Sequence, residues 1–446
     1  MANTRGEWAS KFGFIFAAAG SAVGLGNVWR FPYLTGQNGG AAFVLIYIVC
    51  VMLVGVPVLM NEMALGRLSG KNVISTFSDT GAKKIWVFFG GVLAISVSFF
   101  VLSYYCVIAG WTIGYMITSL TNTPIPFKEF VAEGTYVIPL FALALLTTVI
   151  IVIGGIAGGI EKANKIMMPT LFILLFLVIF RSVTLPGAGA GIAYYLVPDF
   201  SKITGLTVLT ALTQSFFSLG IGWGIIVTYS SYLPKNQSII KSSLWVGGMD
   251  TAIALLSGLM IFPAVFAFGK QPDSGPTLVF EVLANIFPKM PLGNIGGFLF
   301  FTLLFFAAIT STISMVEVVG SWLIDEKKWS RKKAATLVGV AAFVIGLPSA
   351  LSNGSSDFFT KLEFLGQVGV LNIMDFVFGI IIMLIVVLTT CLYTGWVLDT
   401  NKIINEIELG DPNFKDSGLS KLWTVFIRFV CPIVIVIVVL SVLGLF

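Results

Sequence analysis

Eleven apolar runs dominate this chain, at roughly 12–37, 41–68, 86–119, 136–154, 160–183, 205–233, 238–268, 292–324, 332–350, 368–397 and 421–445. Each is close to or above the ~20 residues that carry a helix through the hydrocarbon of a bilayer. Hydrocarbon offers no water to an unpaired N–H or C=O, so a spanning segment must satisfy its backbone internally. The chain therefore reads as an all-α polytopic membrane protein, with residues 1–446 as a single transmembrane domain. The first apolar run continues into a full span, so no cleavable signal is expected. Charged residues make up only 11% of the chain and sit mostly between the runs. With the N-terminus inside, most of the basic residues fall in the cytoplasm, among them Arg67, Lys71, Lys83, Lys84, Lys327, Lys328, Arg331, Lys332 and Lys333. The positive-inside rule then gives a cytoplasmic N-terminus and, with eleven spans, an extracellular C-terminus. The expected location is the cell inner (plasma) membrane, multi-pass.

Within the first run, Gly20-Ser21-Ala22-Val23-Gly24-Leu25-Gly26-Asn27 is a poor continuous helix, since each glycine costs ~1 kcal/mol against alanine. Glycines alone fit close helix packing equally well. A second such stretch, Phe216-Phe217-Ser218-Leu219-Gly220-Ile221-Gly222-Trp223-Gly224, lies in the sixth run beside Gln214. Breaks in the first and sixth helices are the pattern of two five-helix halves of opposite orientation, each opening on a discontinuous helix. The halves are expected at about 12–183 and 205–397, with an additional helix at 421–445. Paired breaks favour a midplane site for a small solute and an ion, because half-helix ends aim N–H groups at anions and C=O groups at cations.

Ionisable residues inside spans are functional candidates. Here they are Arg30, Glu62 beside Asn61, Asp250, Glu317 and Asp375. Each also fits half of a buried structural pair, and Glu62 fits an acceptor for N–H groups freed by an unwound helix. Ala307, Thr310, Ser311 and Ser314 share one face of the eighth run at i, i+3, i+4 and i+7. An oxygen-only set of that kind suits a hard cation such as sodium, and it suits interhelical hydrogen bonding as well. The chain has no histidine, which excludes a histidine-based metal centre and argues against most intramembrane enzymes. Cys50, Cys106, Cys391 and Cys431 lie in or beside apolar runs with no paired spacing and read as core. A net charge of +5 scattered over short loops gives no footprint for nucleic acid. The outer loop 269–291, with its amphipathic Thr277–Ile286, fits either a vestibule cap or a passive connector, and 399–420 reads as an ordinary linker.

Together these residues resemble the neurotransmitter:sodium symporter family, specifically its bacterial amino-acid transporters with the leucine-transporter fold. The resemblance runs over nearly the whole chain. It is carried by Arg5 and Trp8, Gly20 through Pro32, Asn38-Gly39-Gly40, Glu62 through Arg67, Ser103-Tyr104-Tyr105, Phe216 through Gly224, and Ala307 through Ser311.

The resemblance implies a sodium-coupled symporter with two sodium sites. One would use the Ala22 carbonyl, Asn27, Ser218, Asp250 and the substrate carboxylate. The other would use Gly20, Val23 and Ala307 carbonyls with the Thr310 and Ser311 hydroxyls. The substrate carboxylate would meet Leu25 and Gly26 amides and the Tyr105 hydroxyl, and its ammonium carbonyls near Ala22, Phe217 and Ser218. The side-chain pocket would be Val101, Phe217, Gly220, Trp223, Ser311 and Met315. Phe217 and Tyr105 would form the outer lid, with Arg30 and Asp375 as an outer latch. Arg5 and Asp325, aided by Trp8, Ser231 and Tyr232, would latch the inner side. Gly159 and Pro169 match the fifth-helix motif for local unwinding.

Gly24 stands where monoamine carriers have an aspartate, which favours whole amino acids. Asp250 replaces a frequent asparagine one turn before the chloride-binding serine position, here Ala254, so chloride independence is expected. Gly220 leaves room for a bulky side chain beside Trp223 and an adaptable Met315, which points to a hydrophobic, aliphatic or aromatic, substrate. Two alternatives stay open: proton-coupled symport through Asp250 or Glu62, and a transport-dead amino-acid sensor of the same fold.

Overall fold

The computed structural model describes residues 8–123, 125–272, 279–280, 286–289 and 292–445. Among them, nine helices are long and apolar enough to cross a membrane, and a tenth span is the bent pair Phe12–Ala22 and Gly26–Gln37, which turns through 45° at its break. The sixth apolar run folds as two shorter helices, Gly205–Ser218 and Ile225–Ser230. Each of the eleven expected runs is thus largely helical, the first and sixth as broken pairs. The second to fifth are Ala41–Ser69, Lys84–Thr121, Gly134–Ile153 and Ile156–Val183. The seventh to eleventh are Ile239–Ala267, Gly293–Lys327, Arg331–Leu351, Val370–Val397 and Gly418–Val442.

Helix starts follow ordinary capping chemistry. Ser10, Asn72, Ser238 and Ser330 each accept a backbone N–H of the first turn that follows, which offsets the unpaired donors of a helix N-terminus. The break in the sixth span needs its glycines: Gly220, Gly222 and Gly224 have φ of 64°, 80° and 71°, a region that side-chain-bearing residues avoid. At Gly222 a Cβ would also lie 2.6 Å from Val387 and 2.7 Å from the Met383 carbonyl.

The eighth span is the most enclosed, with 78% of its apolar window buried, against 28% for the eleventh, which lies at the edge. The second, fifth, seventh and eighth spans pack around the broken first and sixth helices. A two-residue hairpin, Glu363–Phe364 against Gln367–Val368, precedes the tenth span. The expected plain linker at 399–420 holds a helix, Thr400–Glu408. Its Glu406 accepts from Arg67 Nε at 2.7 Å and from Lys235 Nζ at 2.9 Å, and Arg67 Nη1 donates to the Gln237 carbonyl at 2.5 Å. Of the outer loop, Phe280 is buried against Trp29, Trp111, Tyr115 and Phe127; most of the amphipathic segment Thr277–Ile286 lies outside the described residues.

Candidate functional site

The two breaks face each other in the middle of the molecule. From the first, Asn27 is fully buried, and its Oδ1 accepts from the Gly24 N–H at 3.0 Å. Its Nδ2 donates to Ser218 Oγ at 2.9 Å and to Asp250 Oδ1 at 2.7 Å. Ser218, at the edge of the second break, donates to Asp250 Oδ2 at 2.9 Å. Tyr47 of the second span donates to Asp250 Oδ2 at 3.1 Å. Four spans thus converge on one buried carboxylate. Ala254, one turn beyond Asp250, is buried and brings no hydroxyl.

On the other side of the first break, the last carbonyls of the inner half-helix meet the eighth span. Ser311 Oγ donates to the Ser21 carbonyl at 3.0 Å, and Thr310 Oγ1 lies 3.3 Å from the Val23 carbonyl and 3.0 Å from that of Ala307. The Phe306 carbonyl is also 3.0 Å from Thr310 Oγ1. One hydroxyl hydrogen cannot serve three carbonyls, so lone pairs exceed protons here. That donor set fits a hard cation. Gly20 must stay small, since a Cβ on it would sit 2.3 Å from Asn164 Oδ1.

Between these clusters, the Leu25 N–H donates to the Tyr105 hydroxyl at 2.7 Å, which leaves the hydroxyl hydrogen for another acceptor. Gln214 Nε2 holds the Gly26 carbonyl at 2.8 Å. A Cβ on Gly24 would lie 2.5 Å from Ser311 Oγ and 2.6 Å from the Tyr105 hydroxyl. Nothing lies within 4 Å of a Cβ built on Gly220. Val101, Phe217, Trp223 and Met315 are all buried, and the rings of Phe217 and Trp223 meet edge-on at 5.2 Å.

Outward of the site, Arg30 Nη1 is 3.5 Å from Asp375 Oδ2, and the guanidinium stands 4.2 Å over the Phe217 ring. Tyr104, not Tyr105, donates to Asp375 Oδ1, at 2.8 Å. These groups close a vestibule of about 60 Å³.

Inward, Trp8 Nε1 donates to the Tyr229 carbonyl at 3.1 Å, and its ring lies 6.4 Å from that of Tyr232. Tyr232 donates to Glu317 Oε1 at 2.8 Å, and Glu317 pairs with Arg331 at 2.5 Å. Asp325 accepts from the Asn72 backbone at 3.1 Å, and Ser231 donates to the Thr228 carbonyl at 2.7 Å. Arg5 lies outside the described residues. Glu161 adds a tie that the sequence reading did not foresee: it accepts from the Ala9 N–H at 2.8 Å and from Ser10 Oγ at 2.9 Å.

Glu62, nearly fully buried, accepts from the Gly222 N–H at 2.8 Å, a donor that the sixth-span break sets free. The fifth span winds without a break from Ile156 through Gly159 and Pro169 to Val183. The unwinding implied for that motif is therefore absent from this conformation. Sequence reasoning also missed Tyr47 as a partner of Asp250. Its one signal is a hydroxyl in an otherwise apolar run.

Comparison with known proteins gives a consistent picture. The model of the sodium:neurotransmitter symporter family matches residues 5–133 and 128–445. YhdH, a sodium-dependent transporter of Bacillus subtilis (strain 168), is 36% identical over 98% of both chains. A sodium-dependent transporter of Haemophilus influenzae is 34% identical, again over 98% of both. Among solved structures, MhsT in complex with L-phenylalanine superposes with a TM-score of 0.90 at 38% identity, covering 98% of this chain and 100% of that one.

Proposed function

Because the chain belongs to the sodium:neurotransmitter symporter family, and so is a sodium-dependent transporter rather than an enzyme, we propose that it imports a hydrophobic L-amino acid, aliphatic or aromatic, together with sodium. The import runs by alternating access and without chloride. The observation that carries this reading is the meeting of two backbone breaks around Asn27, Ser218 and Asp250, with the Tyr105 hydroxyl beside the Leu25 N–H. It provides oxygens for a cation next to N–H and O–H donors for a carboxylate.

In this reading the first sodium binds at Ala22, Asn27, Ser218 and Asp250 and shares the substrate carboxylate. Each partner offsets the cost of burying the other, and that coupling is reciprocal. The second binds at Gly20, Val23, Ala307, Thr310 and Ser311 and ties the inner half-helix to the eighth span; its release frees that half-helix to swing inward. The Arg30–Asp375 pair gates the outside. The cluster of Trp8, Tyr232, Glu317 and Arg331, with Arg5 and Asp325, gates the inside. Sodium entering a negative cell interior contributes about 2.3 kcal/mol per charge per 100 mV, which drives accumulation. The two inverted halves, at about 12–183 and 205–397, supply the rocking parts, in an inner membrane with the N-terminus in the cytoplasm.

The substrate class follows from two glycines. Space at Gly24 is closed to a carboxylate side chain by Ser311 and Tyr105, so the substrate brings its own carboxylate. A Cβ on Gly220 would meet nothing within 4 Å, and the same glycine-rich stretch supplies the edge-on Phe217–Trp223 ring pair. MhsT, in its complex, holds L-phenylalanine, in keeping with an aromatic substrate here. The test is uptake of a radiolabelled amino-acid panel into proteoliposomes under sodium, potassium or pH gradients. Uptake of phenylalanine or leucine that needs inward sodium and persists in gluconate supports the reading. Uptake driven by protons alone, or sodium-dependent binding without accumulation, overturns it in favour of a proton symporter or a sensor.

A further inference from the structure

One carboxylate ties the inner end of the first span to the fifth. Glu161 is buried, and it accepts the Ala9 N–H on Oε2 at 2.8 Å and the Ser10 hydroxyl on Oε1 at 2.9 Å. Ser10 also caps the helix Lys11–Ala22, since its Oγ accepts the Gly13 N–H at 3.0 Å. The carboxylate thus orients the capping hydroxyl and sits at the positive end of a helix, where a negative charge is favoured. Its side chain crosses Gly13 so closely that a Cβ there would overlap the carboxylate. Lys165, one turn along the fifth span and half-exposed, pairs with Oε1 at 2.6 Å.

Beyond this tie the seam between the two spans is smooth. A Cβ on Gly20, two turns after Gly13, would meet Asn164 and Met168, so at both points the first span offers a glycine and no interlocking side chain. Among the described residues, no other hydrogen bond joins 8–22 to the fifth span. Asn164 is fully buried and donates to the Ile160 carbonyl of its own helix at 2.9 Å, while its Oδ1 has no hydrogen-bond partner among the described residues. A buried unpaired acceptor disfavours the closed seam. The charge-assisted bonds of Glu161 favour it. The contact is thus a balance between a few opposing groups, which suits a part that must open.

We propose that Glu161 is a latch on the inner half of the first span, holding it against the fifth span until its bonds to Ala9 and Ser10 break. Asn164 is the opposing element, because opening the seam lets water reach its Oδ1. Glu161 is a positioning residue: it acts on the first span from its inner end, away from the residues assigned to sodium and to the amino acid. This latch rests on the alternating-access reading above, in which that half-helix moves.

The test is the rate at which a reporter cysteine in the seam, Met168→Cys, reacts with a water-soluble thiol reagent in the detergent-solubilised full chain, with and without sodium. Met168 is buried against Gly20, and the four native cysteines are buried. In sodium-free solution Glu161→Gln should speed labelling at least fivefold. Gly13→Ala, which displaces the carboxylate without removing its charge, should do so independently, so the test stands if either variant folds poorly. Asn164→Ala removes the unpaired oxygen without crowding Gly20 and should slow labelling at least twofold, whereas a merely structural seam would loosen. Lys165 reaches Glu161 only within its own helix, so Lys165→Met should leave the rate within twofold. Rates unchanged in both Glu161→Gln and Gly13→Ala, faster labelling in Asn164→Ala, or a Lys165→Met rate matching that of Glu161→Gln would overturn the latch. If sodium slows labelling of the unmodified reporter while Glu161→Gln leaves it unchanged, the latch falls and the transport reading stands. If Glu161→Gln speeds labelling and sodium has no effect, the latch stands and the sodium assignment falls.

Discussion

Replacing Asp250 with asparagine keeps the shape of the side chain and removes its charge. In the folded protein the carboxylate accepts from Asn27 at 2.7 Å, Ser218 at 2.9 Å and Tyr47 at 3.1 Å. Hydrogen bonds to a charged acceptor contribute about 1.5–3 kcal/mol, against about 0.5–1.5 for neutral ones, and one of the two oxygens becomes a donor. A carboxylate about 4 Å from a sodium ion contributes about 4 kcal/mol at an effective dielectric of 20. The lower burial cost of the neutral amide returns part of that. A net loss of about 1.4–2.8 kcal/mol in sodium binding remains, equivalent to a 10- to 100-fold rise in half-saturating sodium. The assay is phenylalanine uptake into proteoliposomes across a sodium series, in chloride and in gluconate. Uptake by D250N should need the higher sodium, and adding Ala254→Ser should recover it in chloride but not in gluconate. A half-saturating sodium within twofold of the unmodified chain would refute the role given to this carboxylate.

Other perturbations separate the parts of the site. Glu62→Leu strands the Gly222 N–H and should lower stability by about 1–3 kcal/mol, read by thermal unfolding in detergent, whereas Glu62→Gln keeps an acceptor and should recover most of the loss. Gly24→Ala drives a methyl into Ser311 Oγ and the Tyr105 hydroxyl. It should abolish sodium-dependent substrate binding in a scintillation assay while the protein remains folded by circular dichroism. Arg30→Ala removes the contacts to Asp375 and Phe217; a reporter cysteine at Ile108, which lines the vestibule, should then react with an external water-soluble thiol reagent at least fivefold faster. Cys50, Cys106, Cys391 and Cys431 are buried, so the background is low.

Much of this architecture could be read from local pattern. The apolar runs mark the spans because chain length in hydrocarbon leaves few options, and the glycine clusters mark the breaks because Gly220, Gly222 and Gly224 adopt backbone angles that other residues resist. The reading of Glu62 as an acceptor for a freed N–H follows from the same physics, and Gly222 is the donor it meets. Partners distant in sequence were the hidden part. Arg67 and Glu406 are 339 positions apart, and nothing in the periodicity around either points to the other, so a built inner clamp passed for a linker. Glu161 likewise holds Ala9 and Ser10 through a pairing that only the folded chain brings about. Tyr47 sits in a run whose apolar neighbours give no cue to its role, and becomes legible once the seventh span lies against it.

A main-chain carbonyl has no codon. At the end of the inner half-helix, the oxygens of Ser21 and Val23 that face the eighth span persist through almost any substitution that still lets the chain bend there. If these groups hold sodium as proposed, mutation reaches the ion mainly through a few side chains, such as Asn27, Asp250, Thr310 and Ser311. The walls at Val101, Trp223 and Met315 stay free to drift. On that reading, substitutions at the walls would change the cargo while leaving the backbone oxygens that meet the ion in place.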